Sequence, residues 1–318
     1  MKETILLIGG AGFIGSHLAE AYAQTDSTVV IVDDLSTGYL ENITHLLNKQ
    51  NVFFYEASIL DVAKLTAIFE QHRPTIINNH AAQKSVPYSV ENPMKDLELN
   101  IIGLLNIIKL AKQYKVKRIL SASSGGALAC EIDDEHPVSN ETSTPQLKSP
   151  YAITKYAGEK YLEVYSKLYG FEYIGLRYAN VFGPRQVADG DCGVVPIFVN
   201  NIKNNQDSIL MAYDDMPDGC IRDYIYVDDV VDFNLLATKD EVKGDIFNLG
   251  IGKGFTMRYI FEQLKKAYAS DTELIRKGPR QGDIKISILD CSKVKKILNW
   301  ETTTSLEEGI ALLHKYTE

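Results

Sequence analysis

The chain has 318 residues, 45% apolar and 24% charged, with 33 Lys+Arg against 42 Asp+Glu for a net charge of −9. That length and mixture fit one large or two modest globular domains and exclude both a small module and a disordered chain. The acidic balance argues against a nucleic-acid partner, which needs a broad basic face. From the N-terminus, residues 4–8 predict a strand, too short for a signal-sequence core or a membrane span. A cytoplasmic protein without a membrane partner is expected. Further strands are predicted at 28–32, 51–55, 75–79, 118–121 and 172–176, with helices at 13–24, 61–71, 93–114 and 150–169 between them.

Alternation of strand and helix implies parallel strands joined by right-handed crossovers. The strand segments are nearly continuous in Ile, Leu and Val, as expected when both faces of a sheet are covered. The fold class is α/β: a Rossmann-like doubly wound parallel sheet with a smaller C-terminal α/β substrate domain. The rhythm breaks after Ala179, where Gly, Pro, Asn and Asp become frequent. The expected division is therefore 1–178 and 179–318, with 224–250 a candidate to return to the large sheet. A strand at 246–249 and helices at 256–269 and 305–316 complete the pattern.

Gly9, Gly12 and Gly15 follow the first strand and open the first helix. Glycines at this spacing permit a tight turn and a close backbone approach to a pyrophosphate, which the helix N-terminus attracts. Strand, glycines, helix and second strand occur in the order the motif requires. Asp33 ends the second strand 18 residues beyond Gly15, where an acid meets the adenosine ribose. Asp34 adds a second charge, and no Arg or Lys follows before Lys49. A 2′-phosphate would be repelled, so NAD is expected rather than NADP.

Tyr151 and Lys155 lie one turn apart on the helix that Ser149-Pro150 opens. A neighbouring ammonium stabilises a phenolate, which suits tyrosine to general acid–base work near neutral pH. Ser123-Ser124-Gly125-Gly126 follows the fifth strand, at the sheet edge where ligands bind in such folds. Tyr156 and Lys160 repeat the spacing but are offset by five residues, about 140° around a helix. They read as surface or oligomer contacts.

These segments, with His80-Ala81-Ala82, Arg177 to Gln186 and Arg222 to Asp229, resemble the extended short-chain dehydrogenase/reductases. Within them the chain is similar to nucleotide-sugar 4-epimerases acting on UDP-glucose or UDP-N-acetylglucosamine. The resemblance covers Ile5 to about Trp300. It implies tightly bound NAD, with Gly9, Gly12, Phe13, Ile14, Gly15, Asp33, Asp34, Ser36, Ser58, Ile59, Ala81 and Lys155 on the cofactor side. It implies a UDP-sugar substrate contacted by Lys84, Ser124, Tyr151, Asn180, Arg222, Arg280 and Ser287. Tyr151 would be the acid–base at the sugar 4-hydroxyl, Ser124 would orient that hydroxyl, and Lys155 would hold the nicotinamide ribose and tune Tyr151. The implied reaction is transient oxidation at C4, turning of the 4-keto sugar, and return of the hydride to the other face. A homodimer through a four-helix bundle is also implied, with Ile101, Leu104, Leu105 and Ile108 at suitable helical spacing.

Dehydratases of the superfamily carry Asp-Glu where this chain has Gly125-Gly126, which favours an epimerase. Another nucleotide-sugar dehydratase or reductase, or a catalytically impaired NAD-binding regulatory protein, stands as the alternative. Two positions depart from the family: Ala129-Cys130 replaces Tyr-Gly, and Ser58 replaces an Asp near the adenine. Ser287 matches a position lining the sugar pocket, where a small residue admits an N-acetyl group. UDP-GlcNAc and UDP-GalNAc are therefore the expected substrates, with UDP-Glc and UDP-Gal beside them. The four cysteines form no CxxC pair and the six histidines no paired spacing, so no metal site is expected.

Overall fold

The computed structural model describes residues 2–132, 137–188, 193–279 and 284–317. The chain forms two compact units. Met1–Ser123, Ser149–Leu176 and Val230–Phe247 make the first; Ser124–Lys148, Arg177–Asp229 and Asn248–Glu318 make the second. The first unit thus takes back residues 230–247, inside the stretch singled out in the sequence, and gives up 124–148.

In chain order the first half runs β1 (Thr4–Ile8), α1 (Phe13–Tyr22), β2 (Thr28–Asp33), β3 (Val52–Glu56), α2 (Val62–His72) and β4 (Ile76–Asn79). It continues through α3 (Val86–Glu91), α4 (Pro93–Leu97), α5 (Gly103–Tyr114), β5 (Arg118–Ser124), α6 (Pro150–Tyr169) and β6 (Glu172–Tyr178). The second half runs β7 (Asn180–Phe182), α7 (Val194–Lys203), β8 (Ser208–Met211), β9 (Ile221–Arg222), β10 (Tyr224–Tyr226), α8 (Val227–Ala237) and β11 (Ile246–Leu249). It ends with β12 (Phe255–Thr256), α9 (Met257–Ala267), β13 (Leu274–Lys277), β14 (Ile286–Ser287), α10 (Ser292–Leu298) and α11 (Leu306–Thr317).

The parallel sheet has seven strands in the order β11-β6-β5-β4-β1-β2-β3. The order reverses direction between β1 and β4, and crevices at such switch points are where open α/β sheets bind ligands. One sheet face carries Leu6, Ile8, Val30, Val32, Ile77 and Ile119 into a core closed by Leu65 and Phe69 of α2 and Leu104, Ile107 and Leu110 of α5. Truncating a buried leucine such as Leu104 costs about 2–5 kcal/mol. Arg118 pins the returning segment: its buried guanidinium donates to the carbonyls of Ala237 and Val242, each at 2.8 Å, and pairs with Glu172.

α6 spans the expected residues because its ends are chemically marked. Ser149 Oγ accepts from Ala152 N at 3.1 Å, Pro150 starts the helix, and Gly170 ends it at φ 81°. The single helix expected at 93–114 is instead broken. A π-helical turn at Glu98–Ile102 separates α4 from α5. It carries Asn100 inward, where its side chain accepts from Gln83 N at 2.9 Å and donates to Gln83 O at 3.1 Å. Turns of this kind are frequent at functional sites.

The expected bundle residues prove to be core. Leu104 and Ile108 belong to the hydrophobic core, Leu105 packs against it, and Ile101 is buried. The exposed apolar side chains lie elsewhere, with Met94 on α4 and Ile153, Val164 and Leu168 on α6.

In the second unit, short strands replace the regular rhythm. β9 lies between β12 and β14, β10 pairs with β7, and β8 with β13. The β14–β9 register sets Ser287 beside Arg222, and the β10–β7 register sets Asn180 beside Tyr224.

Candidate active site

The turn after β1 is built from backbone. Gly12 N donates to Gly9 O at 3.3 Å, and Ser16 N to Gly12 O at 3.0 Å as α1 begins. A Cβ on Gly15 would stand 2.0 Å from Gly9 O, and one on Gly9 would stand 2.7 Å from Ala81 N. Gly9 also has φ +77°, open to glycine at little cost. The turn after β1 therefore packs directly on the loop after β4, at the switch point. The first-turn amides of α1 have no intrahelical partners and attract an anion.

Asp33 closes this cradle. Its Oδ2 accepts from Ala11 N at 2.9 Å and its Oδ1 from Leu35 N at 2.8 Å. Burial raises its pKa, while these amide bonds oppose the rise. Asp34 is exposed and accepts from Ser36 Oγ at 2.6 Å. Backbone, acid and helix terminus thus fit an adenine dinucleotide. Phe13, Ile14 and Ala81 are half-buried around the turn. Ile59 differs: its side chain lies in the core, where a Cβ on Gly103 would stand 2.3 Å from its Cδ1. Ser58 closes a local turn instead, with Asp61 N donating to its carbonyl at 3.0 Å.

On α6, Lys155 Nζ donates to Ala122 O of β5 at 3.0 Å and lies 5.7 Å from the centroid of the Tyr151 ring. Burial lowers the Lys155 pKa to about 8, against the opposing charges of Asp96 and Glu159. His80 has its pKa lowered to about 3, by burial and then by the Lys155 charge, so its ring is neutral. Tyr151 N donates to Ser89 Oγ at 3.2 Å, which fixes the helix start. Tyr156 and Lys160 pair on the outer surface: Nζ of Lys160 lies 5.1 Å from the Tyr156 ring and 3.0 Å from Glu163.

Ser124, Asn180, Arg222 and Ser287 belong to the second unit. Ser124 Oγ accepts from Ala127 N at 3.2 Å. A Cβ on Gly126 would stand 3.9 Å from Ser287 Oγ, so the loop after β5 faces β14. Asn180 Nδ2 donates to Asp223 O at 2.9 Å, and Arg222 Nη1 to Lys285 O at 3.2 Å. Asn180, Arg222 and Ser287 therefore converge around Asp223. Its buried carboxylate accepts from the amides of Tyr224, Ile251, Gly252 and Leu289. Burial pushes the Asp223 pKa up to about 7. Lys84 is exposed on the loop after β4. Arg280, with Cys192 and His136, lies outside the described residues.

In the loop after β5 a side chain at Gly125 would be crowded, whereas one at Gly126 would meet only ordinary contact. A Cβ on Gly125 would stand 2.5 Å from Leu289 Cδ1 and 3.0 Å from Tyr178 O. Ala129 and Cys130, the departure from Tyr-Gly, are buried, and Cys130 N donates to Ser139 Oγ at 3.1 Å. The change therefore sits in the interior of the second unit.

Residues 5–250 match the profile of the NAD dependent epimerase/dehydratase family. The chain belongs to that family. It is similar to the family's UDP-glucose 4-epimerase from Thermotoga maritima, solved with UDP-glucose. The two share 41% identity and a TM-score of 0.91 over 99% of this chain and 98% of that one. The Thermus thermophilus UDP-glucose 4-epimerase, solved with NAD, shares 37% identity and a TM-score of 0.90 over 98% of each chain. A UDP-glucose 4-epimerase of Mycolicibacterium smegmatis is 35% identical over 307 residues, 96% of each chain.

Asp96, Glu159 and Asp223 were not singled out in the sequence. Asp223 was within reach, because it adjoins Arg222 in the Arg222–Asp229 motif. Asp96 was not, because a charged residue in a helical segment reads as solvated.

Proposed function

We propose that the chain is an NAD-dependent UDP-hexose 4-epimerase. The observation that carries the reading is Tyr151 one turn from a half-buried Lys155, on a helix anchored to the end of β5, in the unit that holds the Gly9–Gly15 cradle and Asp33. The kinship with UDP-glucose 4-epimerases along nearly the whole chain supports it.

When bound, NAD supplies the two-electron acceptor and donor for sugar carbon 4. Gly9, Gly12 and Gly15 bring backbone amides to its diphosphate, and Asp33 receives the adenosine ribose. Tyr151 takes the 4-hydroxyl proton and returns it to the same oxygen once the 4-keto sugar has turned. Lys155, as an ammonium, stabilises the phenolate and holds the nicotinamide ribose. Ser124 gives the sugar hydroxyl a second hydrogen bond. Arg222 and Asn180, with Arg280, hold the nucleotide diphosphate, for which guanidinium forks are suited. Holding the nucleotide while the hexose turns is what would let either face of carbon 4 be presented to the bound cofactor.

Dehydratases of the superfamily carry Asp-Glu after the active-site hydroxyl residue, and this chain has Gly125-Gly126 there, with no carboxylate. For the sugar, the small Ser287 beside Gly126 favours UDP-GlcNAc and UDP-GalNAc. The names of the relatives favour UDP-Glc and UDP-Gal as a second reading.

We also propose a homodimer. Met94 is 69% exposed, Ile153 52%, Val164 54% and Leu168 67%, and the last three share one face of α6. Packing this stripe on its symmetry mate makes a four-helix bundle. No helix among the described residues is long and apolar enough to cross a membrane. A cytoplasmic location is part of the proposal.

The test is proton NMR of UDP-GlcNAc incubated with purified protein and no added NAD. Formation of UDP-GalNAc supports the reaction, a co-purifying cofactor and a roomy pocket together. If only UDP-glucose turns over, the reaction stands and the sugar assignment moves to the second reading. Silence with both sugars, with and without added NAD, overturns the proposal.

A further inference from the structure

Two buried carboxylates bear on Lys155, and the reaction scheme above gives neither a role. Asp96, in α4, is fully buried. Its Oδ2 accepts from Thr154 Oγ1 at 2.7 Å. Its Oδ1 accepts from Gln83 Nε2 at 2.9 Å and Asn100 Nδ2 at 3.0 Å. Glu159, one turn beyond Lys155 on α6, is 2% exposed and accepts from Ser123 Oγ at 2.6 Å. Both attract the Lys155 ammonium, against the burial that favours its neutral form.

Buried carboxylates are costly, and apolar side chains of similar volume often stabilise as well. Two of them around one buried ammonium point to a requirement for that charge. Phenolate formation at Tyr151 gains from a neighbouring cation and loses that gain if the lysine is neutral. The connectivity also has a mechanical side. Thr154 adjoins Lys155 and lies three residues after Tyr151, so a bond from Asp96 to its hydroxyl fixes the turn carrying both. Through Gln83 and Asn100 the same carboxylate ties that turn to the loop after β4 and to the π-helical turn. The other titratable groups near Lys155 are His80, whose ring is neutral, and Tyr151 itself.

We propose that Asp96 and Glu159 are positioning residues that keep Lys155 in its ammonium form, and that Asp96, through Thr154, fixes the turn of α6 bearing Tyr151 and Lys155. The catalytic meaning of this rests on the proposed acid–base pair, but the charge relationship can be read without turnover.

Purified protein carrying 13Cε-labelled lysine is titrated by NMR, with the Lys155 signal assigned from its loss in Lys155→Met. Asp96→Asn keeps the hydrogen-bonding shape, because its Oδ1 can face Gln83 and Asn100 while its amide donates to the Thr154 hydroxyl. Glu159→Gln serves the same purpose at the second carboxylate. Each substitution should lower the Lys155 titration midpoint by roughly one pH unit. The alkaline limb of the epimerisation rate should move down by the same amount. Thr154→Val should slow turnover about 10-fold with the midpoint unmoved, and Thr154→Ser should restore it. An unmoved midpoint in Asp96→Asn and Glu159→Gln overturns the proposal, and Glu159→Gln alone decides it if Asp96→Asn does not fold. Wild-type protein without epimerase activity would defeat the functional reading, while the titration would still decide this one.

Discussion

Ala11 N donates to Asp33 Oδ2 across 2.9 Å, so a single carboxylate holds the glycine-rich turn against the end of β2. The second oxygen accepts from Leu35 N, and a Cβ on Gly38 would stand 2.8 Å from it. Asp33 therefore shapes the turn as well as presenting an acceptor to a ribose. Asp33→Ala should weaken NAD binding about 10- to 100-fold, the scale of hydrogen bonds to a charged group. It should bring no gain for NADP, because Asp34 remains. Calorimetric titration of cofactor-stripped protein with each nucleotide checks both statements, and NAD affinity within about threefold of wild type would contradict them.

His80 gives the protein an acid-sensitive element. Its folded-state pKa lies near 3, well below the ordinary histidine value of 6.5, because burial and the Lys155 charge both oppose protonation. Unfolded chains therefore bind more protons at this site between those two values. Stability from it is present above pH 6.5 and is lost as the pH falls toward 3. The melting temperature of wild type should drop over that interval more steeply than that of His80→Gln. Parallel curves for the two proteins would assign the acid sensitivity elsewhere.

The exposed stripe on α4 and α6 carries a prediction about assembly. Large apolar side chains aligned on one helical face cost little to cover and are a hazard when bare. Leu168→Asp with Val164→Asp should give a species of half the wild-type mass in light scattering, with the far-ultraviolet spectrum preserved. Both side chains are more than half exposed, so the substitutions leave the monomer's own core intact. Unchanged mass would exclude this face as the interface.

The sheet and its glycine turn were legible because their signals are local. Hydrophobic runs, glycines at fixed spacing, and the Ser149-Pro150 start and Gly170 stop of α6 each act within a few residues. The bundle face is hidden for a related reason. Ile101, Leu104 and Ile108 have helical spacing, but spacing alone does not tell a sheet-facing side from an outward one, and these residues are buried. The π-helical turn at Glu98–Ile102 shifts the helix face in a way that a 3.6-residue period does not report. Asp96 owes its place to Gln83, Asn100 and Thr154, two of which are distant in sequence, so nothing near it marks it as buried. The short strands of the second unit, two to four residues each, are too brief to carry a period. Their positions come from partners such as Asp223, whose N–H donates to Ser287 O at 2.9 Å.

That last contact bears on sugar choice. Ser287 is 2% exposed, sits beside Arg222 in the β14–β9 register, and has its Oγ 3.9 Å from where a Cβ on Gly126 would stand. The main chain at Ser287 is thus fixed by Asp223, while its short side chain leaves space on the side of the loop after β5. A tyrosine there would fill that space with a ring and leave the backbone contacts in place. N-acetylhexosamines need more room than plain hexoses, so Ser287→Tyr should lower kcat/KM for UDP-GlcNAc roughly 100-fold and leave UDP-Glc within about threefold. The retained UDP-Glc rate is the internal control for a folded, NAD-loaded protein. Equal losses with both sugars would mean that the ring disturbs β14 rather than the acetamide. Unchanged UDP-GlcNAc turnover would remove Ser287 from the pocket wall and leave the sugar preference to the loop after β5.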